Sequence, residues 1–359
     1  MLHRVEKRIE NLEKSRLLAE YFGDAKVGFL DIETTGLSPK TCKVILGGLV
    51  VADSLQPAGN GSGEAGEMLS AELTCHEFFS DFGSKDDEKA LLAAYLEEIR
   101  KLDVIVTYNG EHFDVPFLFE RCEKHRLECR EGFPFNFDLY RLLKTSSDLR
   151  ELLPNLKQKT VERYYGLWPT RTDEISGEDS VNLYYAYLSH KPGPGKDAIR
   201  ETIILHNSDD CMQLCRLAPI VKKLDLYKGM WQTGFPFANL PVKKMALKGD
   251  KLIVSGIQRK NAIDFKSFET PEQPYEIRMD RRFRSYEVSL PLKSVNPGHE
   301  MDTLKLLDLE TFSFDTDSIK GLPQCENQYI IVAEGEKVAY KTVIAFVKLL
   351  LSAVELQTK

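Results

Sequence analysis

An α/β domain with a mixed sheet, followed by a smaller β-rich domain, is the fold class that this 359-residue chain predicts. Three observations carry it. Apolar, β-branched runs of strand length come first, interrupted by turn residues. Strand-length runs then alternate with helix-period segments, the texture of a layered α/β sheet. After Trp231 the chain turns to short alternating segments with turns between them, which read as a separate β domain.

Taken in order, residues 1–22 show a charged amphipathic pattern that predicts a helix ahead of the first strand. Strands are expected at 27–32, 44–52 and 73–79, with the Gly-, Ala- and Ser-rich stretch 54–67 as the loop of a hairpin-like pair. Residues 88–101 place apolar side chains at 91, 92, 95, 96 and 99, one face of a packed helix. A buried strand at 104–108 ends in the turn signal Asn109-Gly110, and a helix opens with Asp114 at its cap and Pro116 in its first turn. A short strand at 135–139 leads into a helix, and 161–166 closes another. Helices at 181–190 and 199–223 are separated by the Pro-Gly-rich loop 191–196. The early pair is antiparallel and later strands alternate with helices, so the sheet is mixed. Beyond it, strands are expected at 251–257, 262–268, 275–279, 285–292 and 329–333, with a terminal helix at 337–356. The domain scheme is a helix at 1–22, an α/β domain at 23–232 and a β-rich accessory domain at 236–359.

Composition is that of an ordinary globular protein, with no apolar run of the ~18–20 residues that span a bilayer. The charged opening from Met1 to Glu10 lacks the apolar core of a signal peptide. Seven cysteines are present without a Cys-x-x-Cys, and Cys211 and Cys215 have no second ligand pair, which argues against zinc. Reduced thiols in a cytoplasm is the simplest reading. A net charge of −7 argues against nonspecific coating of nucleic acid, but residues 241–284 are net +5, leaving −12 for the remainder.

Three segments carry candidate chemistry. Asp31 and Glu33 sit two apart in an apolar strand and therefore point the same way. A divalent cation such as Mg²⁺ relieves their mutual repulsion; the alternative is a strand end whose two acids simply meet solvent. Asp114 follows the Tyr108-Asn109-Gly110 turn, where it is either a ligand or a helix cap. His206 and Asp210 are one turn apart on a long helix, with Asp209 near the same face, so the choice between the two aspartates stays open.

Phe29-Leu30-Asp31-Ile32-Glu33-Thr34-Thr35-Gly36-Leu37, Tyr108-Asn109-Gly110-x-x-Phe113-Asp114-x-Pro116 and His206-Asn207-x-x-Asp210, in this order, resemble the three motifs of the DEDD exonucleases. Within that group the chain is similar to the YprB-like bacterial exonucleases, also through Leu152 to Lys157, Val161, Glu162, Gly166 and the stretch 173–177 leading into Tyr184, Tyr185 and Tyr187. The resemblance covers residues 24–225. It implies an RNase H-like mixed sheet flanked by helices. It also implies two Mg²⁺ or Mn²⁺ ions held by Asp31, Glu33, Asp114 and Asp210, with Thr34 and Asn109 positioning the terminal nucleotide. Family members that use histidine as general base set it five residues before the last aspartate, and those that use tyrosine set it four before. His206 stands four before Asp210, a histidine at tyrosine spacing, and either takes the proton of the attacking water or orients that water.

In the basic stretch, Arg281, Arg282 and Arg284 lie among Phe265, Phe268, Tyr275 and Phe283. Such interleaving suits tracking of a single strand, and equally the solvent face of a small β domain. The function expected from the whole is a metal-dependent 3′→5′ exonuclease acting on single-stranded or frayed 3′ ends of nucleic acid, with no membrane partner. Two other readings stay open: a non-catalytic module that binds nucleic acid or protein, and a structure-specific endonuclease on the same fold.

Overall fold

The computed structural model describes all residues except 14–20, 53–67, 173–174, 220–223, 297, 299–301 and 359. The expected loop at 54–67 lies outside the described residues, as do parts of the expected 1–22 and 199–223 helices. The chain divides into two compact units, Met1–Leu224 and Asp225–Lys359. Among the described residues no helix is long and apolar enough to cross a membrane, and the seven cysteines are unpaired.

The first unit is built on a six-stranded mixed sheet. Its strands are β1 (Leu2–Glu13), β2 (Val27–Thr34), β3 (Val44–Ala52), β4 (Met68–Phe79), β5 (Val104–Thr107) and β6 (Phe135–Asp138), in the order β1-β4-β3-β2-β5-β6. The pairs β1-β4, β4-β3 and β3-β2 are antiparallel, whereas β2-β5 and β5-β6 are parallel. Two helices alternate with the later strands, α1 (Lys85–Ile99) and α2 (Asp114–Lys124), and five follow β6: α3 (Leu139–Ser146), α4 (Leu149–Leu152), α5 (Gln158–Tyr164), α6 (Gly177–Ser189) and α7 (Pro194–Leu217). On one face Leu30 and Ile32 of β2 pack with Leu91, Leu96, Phe117 and Leu118 of α1 and α2. On the other, Ile45, Leu46 and Phe79 pack with Tyr184, Tyr187, Ile203 and Ile204 of α6 and α7. Strand alternation thus turns Asp31 and Glu33 away from the α1/α2 face, toward α7.

The N-terminal segment corrects the sequence expectation: residues 2–13 form a strand, not a helix. Its twelve residues pair in register with β4. The charge pattern that suggests a helix is met across the sheet instead, with Arg4 Nε donating to Glu77 Oε2 at 2.6 Å and Lys7 Nζ to Glu72 Oε1 at 3.1 Å. Cross-strand pairs of this kind override a helical local pattern.

A buried ionic cluster braces the sheet's α1/α2 face. Arg121 Nε and Nη2 donate to Glu88 Oε1 and Oε2 at 2.7 and 2.6 Å, and His125 Nε2 lies 2.9 Å from Glu88 Oε2. Glu88 also accepts from the Val44 N–H, while Arg121 Nη1 reaches the Pro39 carbonyl at 3.1 Å.

The second unit holds two antiparallel sheets. The first runs β7-β8-β11-β10-β9, from β7 (Val242–Lys248), β8 (Lys251–Ile257), β9 (Phe265–Ser267), β10 (Glu276–Asp280) and β11 (Ser285–Pro291). The other joins β12 (Lys293–Val295), β13 (Leu304–Asp308), β15 (Tyr329–Glu334) and β14 (Cys325–Glu326), with β16 (Lys337–Val338) on β15. Helices α8 (Leu226–Thr233) and α9 (Tyr340–Gln357) complete it, with Phe346, Val347, Leu350 and Leu351 of α9 buried.

Candidate metal centre and cleft

The C-terminal end of β2 supplies two acids, and two other elements bring the rest. Gly48 of β3 stands opposite Asp31 in register, and its missing side chain is what lets α7 approach. A Cβ there would lie 1.9 Å from Asn207 Oδ1 and 2.9 Å from Cys211 Sγ. Asn207 Nδ2 uses this closeness to donate to Asp31 Oδ2 at 2.7 Å. One turn of α7 carries His206 and Asp210 alongside, so Glu33, His206 and Asp210 each offer a ligand atom within 4.8 Å of the others. His206 Nε2 is 3.4 Å from Glu33 Oε1 and 3.7 Å from Asp210 Oδ2.

Asp114 enters from the start of α2. It is the first residue inside the helix, with Phe113 at the cap position and no capping bond from that side chain. Its Oδ1 instead accepts the Ile32 N–H at 3.2 Å, which ties α2 to the strand bearing Asp31 and Glu33.

The electrostatics are those of an acidic cluster in need of a counter-charge. Burial, and then the charges of Asp114, Asp210 and Glu33, push the Asp31 carboxyl well above the usual carboxylate range, against the Asn207 hydrogen bond. Burial likewise pushes Asp114 up to about 7, opposed by the N–H groups of Asp114 itself and Ile32 and reinforced by Asp138 and Glu33. Hard oxygen donors that repel one another in a buried place are a fitting donor set for Mg²⁺ or Mn²⁺.

The two adjacent aspartates of α7 have different fates. Asp209 is buried and accepts from the Thr172 N–H and hydroxyl at 2.6 and 2.7 Å. Asp210 points to the cleft, and its Oδ1 accepts from Arg171 Nη2 at 2.6 Å. Burial alone would lower the Arg171 pKa, but Glu162 and Asp210 together raise it. Arg171 escapes a reading of the sequence because its partner Asp210 lies 39 residues further on and nothing local marks the contact. Glu162, though within the resemblance, shows its task only through Arg171.

An open cleft of about 830 Å³ exposes Asp31, Glu33, Thr34, His206 and Asp210, with Leu37 and Phe113 at its side and Lys157 and Lys159 supplying positive charge. Thr34 donates its hydroxyl to the Gly36 carbonyl at 2.8 Å. Asn109, with a left-handed φ of 66°, donates its N–H to Asp138 Oδ1 at 2.9 Å and is not among the residues lining the cleft. In the second unit Arg281 and Arg282 are exposed, whereas Arg284 Nη2 donates to the carbonyls of Gln258 and Arg259 at 2.8 and 2.7 Å.

The sequence profile of the RNase H superfamily matches residues 28–222, more than half the chain. The chain belongs to the RNase H superfamily. It is similar to the catalytic subunit of DNA polymerase epsilon from Saccharomyces cerevisiae, at 28% identity over 144 residues, covering 32% of this chain and 6% of that protein. The corresponding polymerase epsilon protein of Debaryomyces hansenii is 29% identical over 139 residues, covering 30% of this chain and 6% of that protein. The chain thus spans a small fraction of the curated relatives it matches. Among solved structures, the family B DNA polymerase of Pyrobaculum calidifontis aligns with 57% of this chain and 26% of that chain, at 16% identity and a TM-score of 0.38.

Proposed function

We propose that the chain is a metal-dependent nuclease that hydrolyses phosphodiester bonds of nucleic acid from the 3′ end, as a 3′→5′ exonuclease. The observation that carries this reading is the convergence of Asp31, Glu33, His206 and Asp210 on one cleft, with Asp114 tied to the same strand. Asp31, Glu33, Asp114 and Asp210 would hold two Mg²⁺ or Mn²⁺ ions. When bound, a pair of such ions activates water and neutralises charge on the leaving oxygen.

The chain's own groups do the rest. His206 Nε2, facing Glu33 and Asp210, takes the proton of the attacking water. Lys157 and Lys159 offset the phosphodiester's charge at the cleft, and Thr34, which lines it, positions the terminal nucleotide. Asn109 lies outside the cleft lining and supports the turn ahead of Asp114 through Asp138. Arg281 and Arg282, exposed on the second unit, contact the strand backbone, with Arg284 holding their turn. Both curated relatives are DNA polymerase proteins by name, which makes DNA the first substrate to test. The motif spellings support a place beside the YprB-like exonucleases.

The experiment incubates 5′-labelled single-stranded DNA and RNA with Mn²⁺ or with EDTA, beside Asp31→Ala. A Mn²⁺-dependent ladder receding from the 3′ end and absent in Asp31→Ala is expected. Cleavage of circular single-stranded DNA would replace end-directed with internal cutting. No cleavage of any substrate, with no Mn²⁺ binding by calorimetry, would refute the function.

A further inference from the structure

The two aspartates Asp209 and Asp210 are adjacent in sequence, chemically identical and on neighbouring faces of α7, yet the fold uses them differently. What separates them is a dipeptide from outside the helix. Thr172 takes Asp209 through its N–H and hydroxyl, and Arg171 takes Oδ1 of Asp210. We propose that Arg171, backed by Glu162, is a positioning residue that presents Asp210 to the metal centre through a single oxygen.

The geometry argues for a fixed device. Arg171 Nε and Nη2 donate to Glu162 Oε2 and Oε1 at 2.9 and 2.8 Å, and the same Nη2 donates to Asp210 Oδ1 at 2.6 Å. The side chains of Arg171 and Glu162 are 1% and 0% exposed. A planar guanidinium gripped along one edge by a carboxylate has its remaining donors directed by that grip, so Glu162 aims Arg171 and Arg171 aims Asp210. Oδ1 is thereby engaged, and Oδ2 is the oxygen that faces His206 Nε2, 3.7 Å away, on the Glu33 side. Backbone contacts add to the hold: Gln158 Nε2, at the start of α5, donates to the Asp210 carbonyl at 3.1 Å. α5 also carries Glu162, so one short helix grips the Asp210 main chain directly and its carboxylate through Arg171.

A buried ion pair costs desolvation, and an apolar pair of similar shape would serve folding as well. Its place beside the cleft is accounted for by what it does to Asp210. Outer groups that orient a ligating carboxylate typically change metal affinity about 10–100-fold when removed.

This inference rests on the proposed metal-dependent function, and the test separates the two. Arg171→Met with Glu162→Gln removes both buried charges at similar volume, and Arg171→Lys keeps the charge while losing the two-bond grip. For wild type and both variants, Mn²⁺ affinity is measured by calorimetry, folding by circular dichroism and thermal melting, and cleavage as kcat and KM. The double variant is expected to remain folded, to bind Mn²⁺ about tenfold or more weakly, and to lose kcat while KM for the oligonucleotide holds. Arg171→Lys should fall between it and wild type. A folded double variant with wild-type Mn²⁺ affinity and kcat would overturn the positioning role and leave the nuclease reading intact. Reduced melting temperature with unchanged Mn²⁺ affinity per folded molecule would overturn it too, leaving a purely structural pair. A wild-type chain that neither binds Mn²⁺ nor cuts nucleic acid would overturn both.

Discussion

Replacing Asp114 by Asn should stabilise the metal-free protein while abolishing its response to metal. Burial, with smaller contributions from Asp138 and Glu33, raises the Asp114 carboxyl from 3.8 to about 7. For an acid whose pKa is higher folded than unfolded, the folded state binds the extra proton between those two values. Stability is therefore greatest below ~4 and falls as pH rises toward ~7. About three units at ~1.4 kcal/mol each make the ionised group cost roughly 4 kcal/mol at pH 8. Asn is neutral at every pH and its Oδ1 can still accept the Ile32 N–H that Asp114 accepts. At roughly 2–4 °C per kcal/mol for a unit of this size, the gain is about 10 °C in EDTA at pH 8. Melting curves of both proteins across pH 5–8, with EDTA and with Mn²⁺, test it. The gap should narrow toward pH 5 to roughly a third of its size at pH 8, and Mn²⁺ should raise the wild-type melting temperature while leaving Asp114→Asn where it was. A variant no more stable than wild type at pH 8 in EDTA, or a gap as large at pH 5 as at pH 8, would refute the electrostatic account.

His206→Asn should lower kcat by about 10²–10⁴ at saturating Mn²⁺ with little change in KM; an unchanged kcat would remove His206 as the base. Gly48→Ala would set a Cβ 1.9 Å from Asn207 Oδ1 and 2.9 Å from Cys211 Sγ. It should cost about 1–3 kcal/mol of stability and weaken Mn²⁺ binding by pushing α7 off the sheet; wild-type melting and affinity would contradict that contact. Arg281→Glu with Arg282→Glu should weaken single-stranded DNA binding and flatten its salt dependence, so unchanged binding would take this turn out of the substrate path. Arg284→Met should instead lower the stability of the second unit by about 1–3 kcal/mol, because the carbonyls of Gln258 and Arg259 lose their donor.

The sheet and the acids of β2 were legible because strand alternation is a local signal. Leu30 and Ile32 occupy one face and Asp31 and Glu33 the other, as period two demands. The span 44–52 is the observed β3, and 251–257 the observed β8. β1 was not legible, since its charges acquire meaning only against Glu77 and Glu72 of β4. The choice between Asp209 and Asp210 was beyond periodicity for the same reason. Both lie near one helix face, and the deciding contacts come from Arg171 and Thr172, outside the helix. β7 and β13 are not legible either: β7 carries Lys243, Lys244 and Lys248 and finds its pairing in β8, and β13 finds its own in β15, further along the chain. Asn207, by contrast, sits within a recognisable motif, but its task of holding Asp31 emerges only once Gly48 is seen to make room for it.

The buried Glu88 cluster has a mechanical consequence for the mouth of the cleft. The segment from Thr35 to Lys43 leaves β2 and returns to β3, with Leu37 at its tip 85% exposed beside the acids. From below, Arg121 holds the Pro39 carbonyl and Lys124 the Lys40 carbonyl, while Thr35 and Lys43 close the base of the loop through backbone and hydroxyl bonds. Arg121 is itself immobilised by Glu88 in the interior, where such a network is stiff. The rim is thus a shelf bolted to the core and not a flap: whatever enters the cleft meets a lip that is already held in place by bonds made when the protein folds.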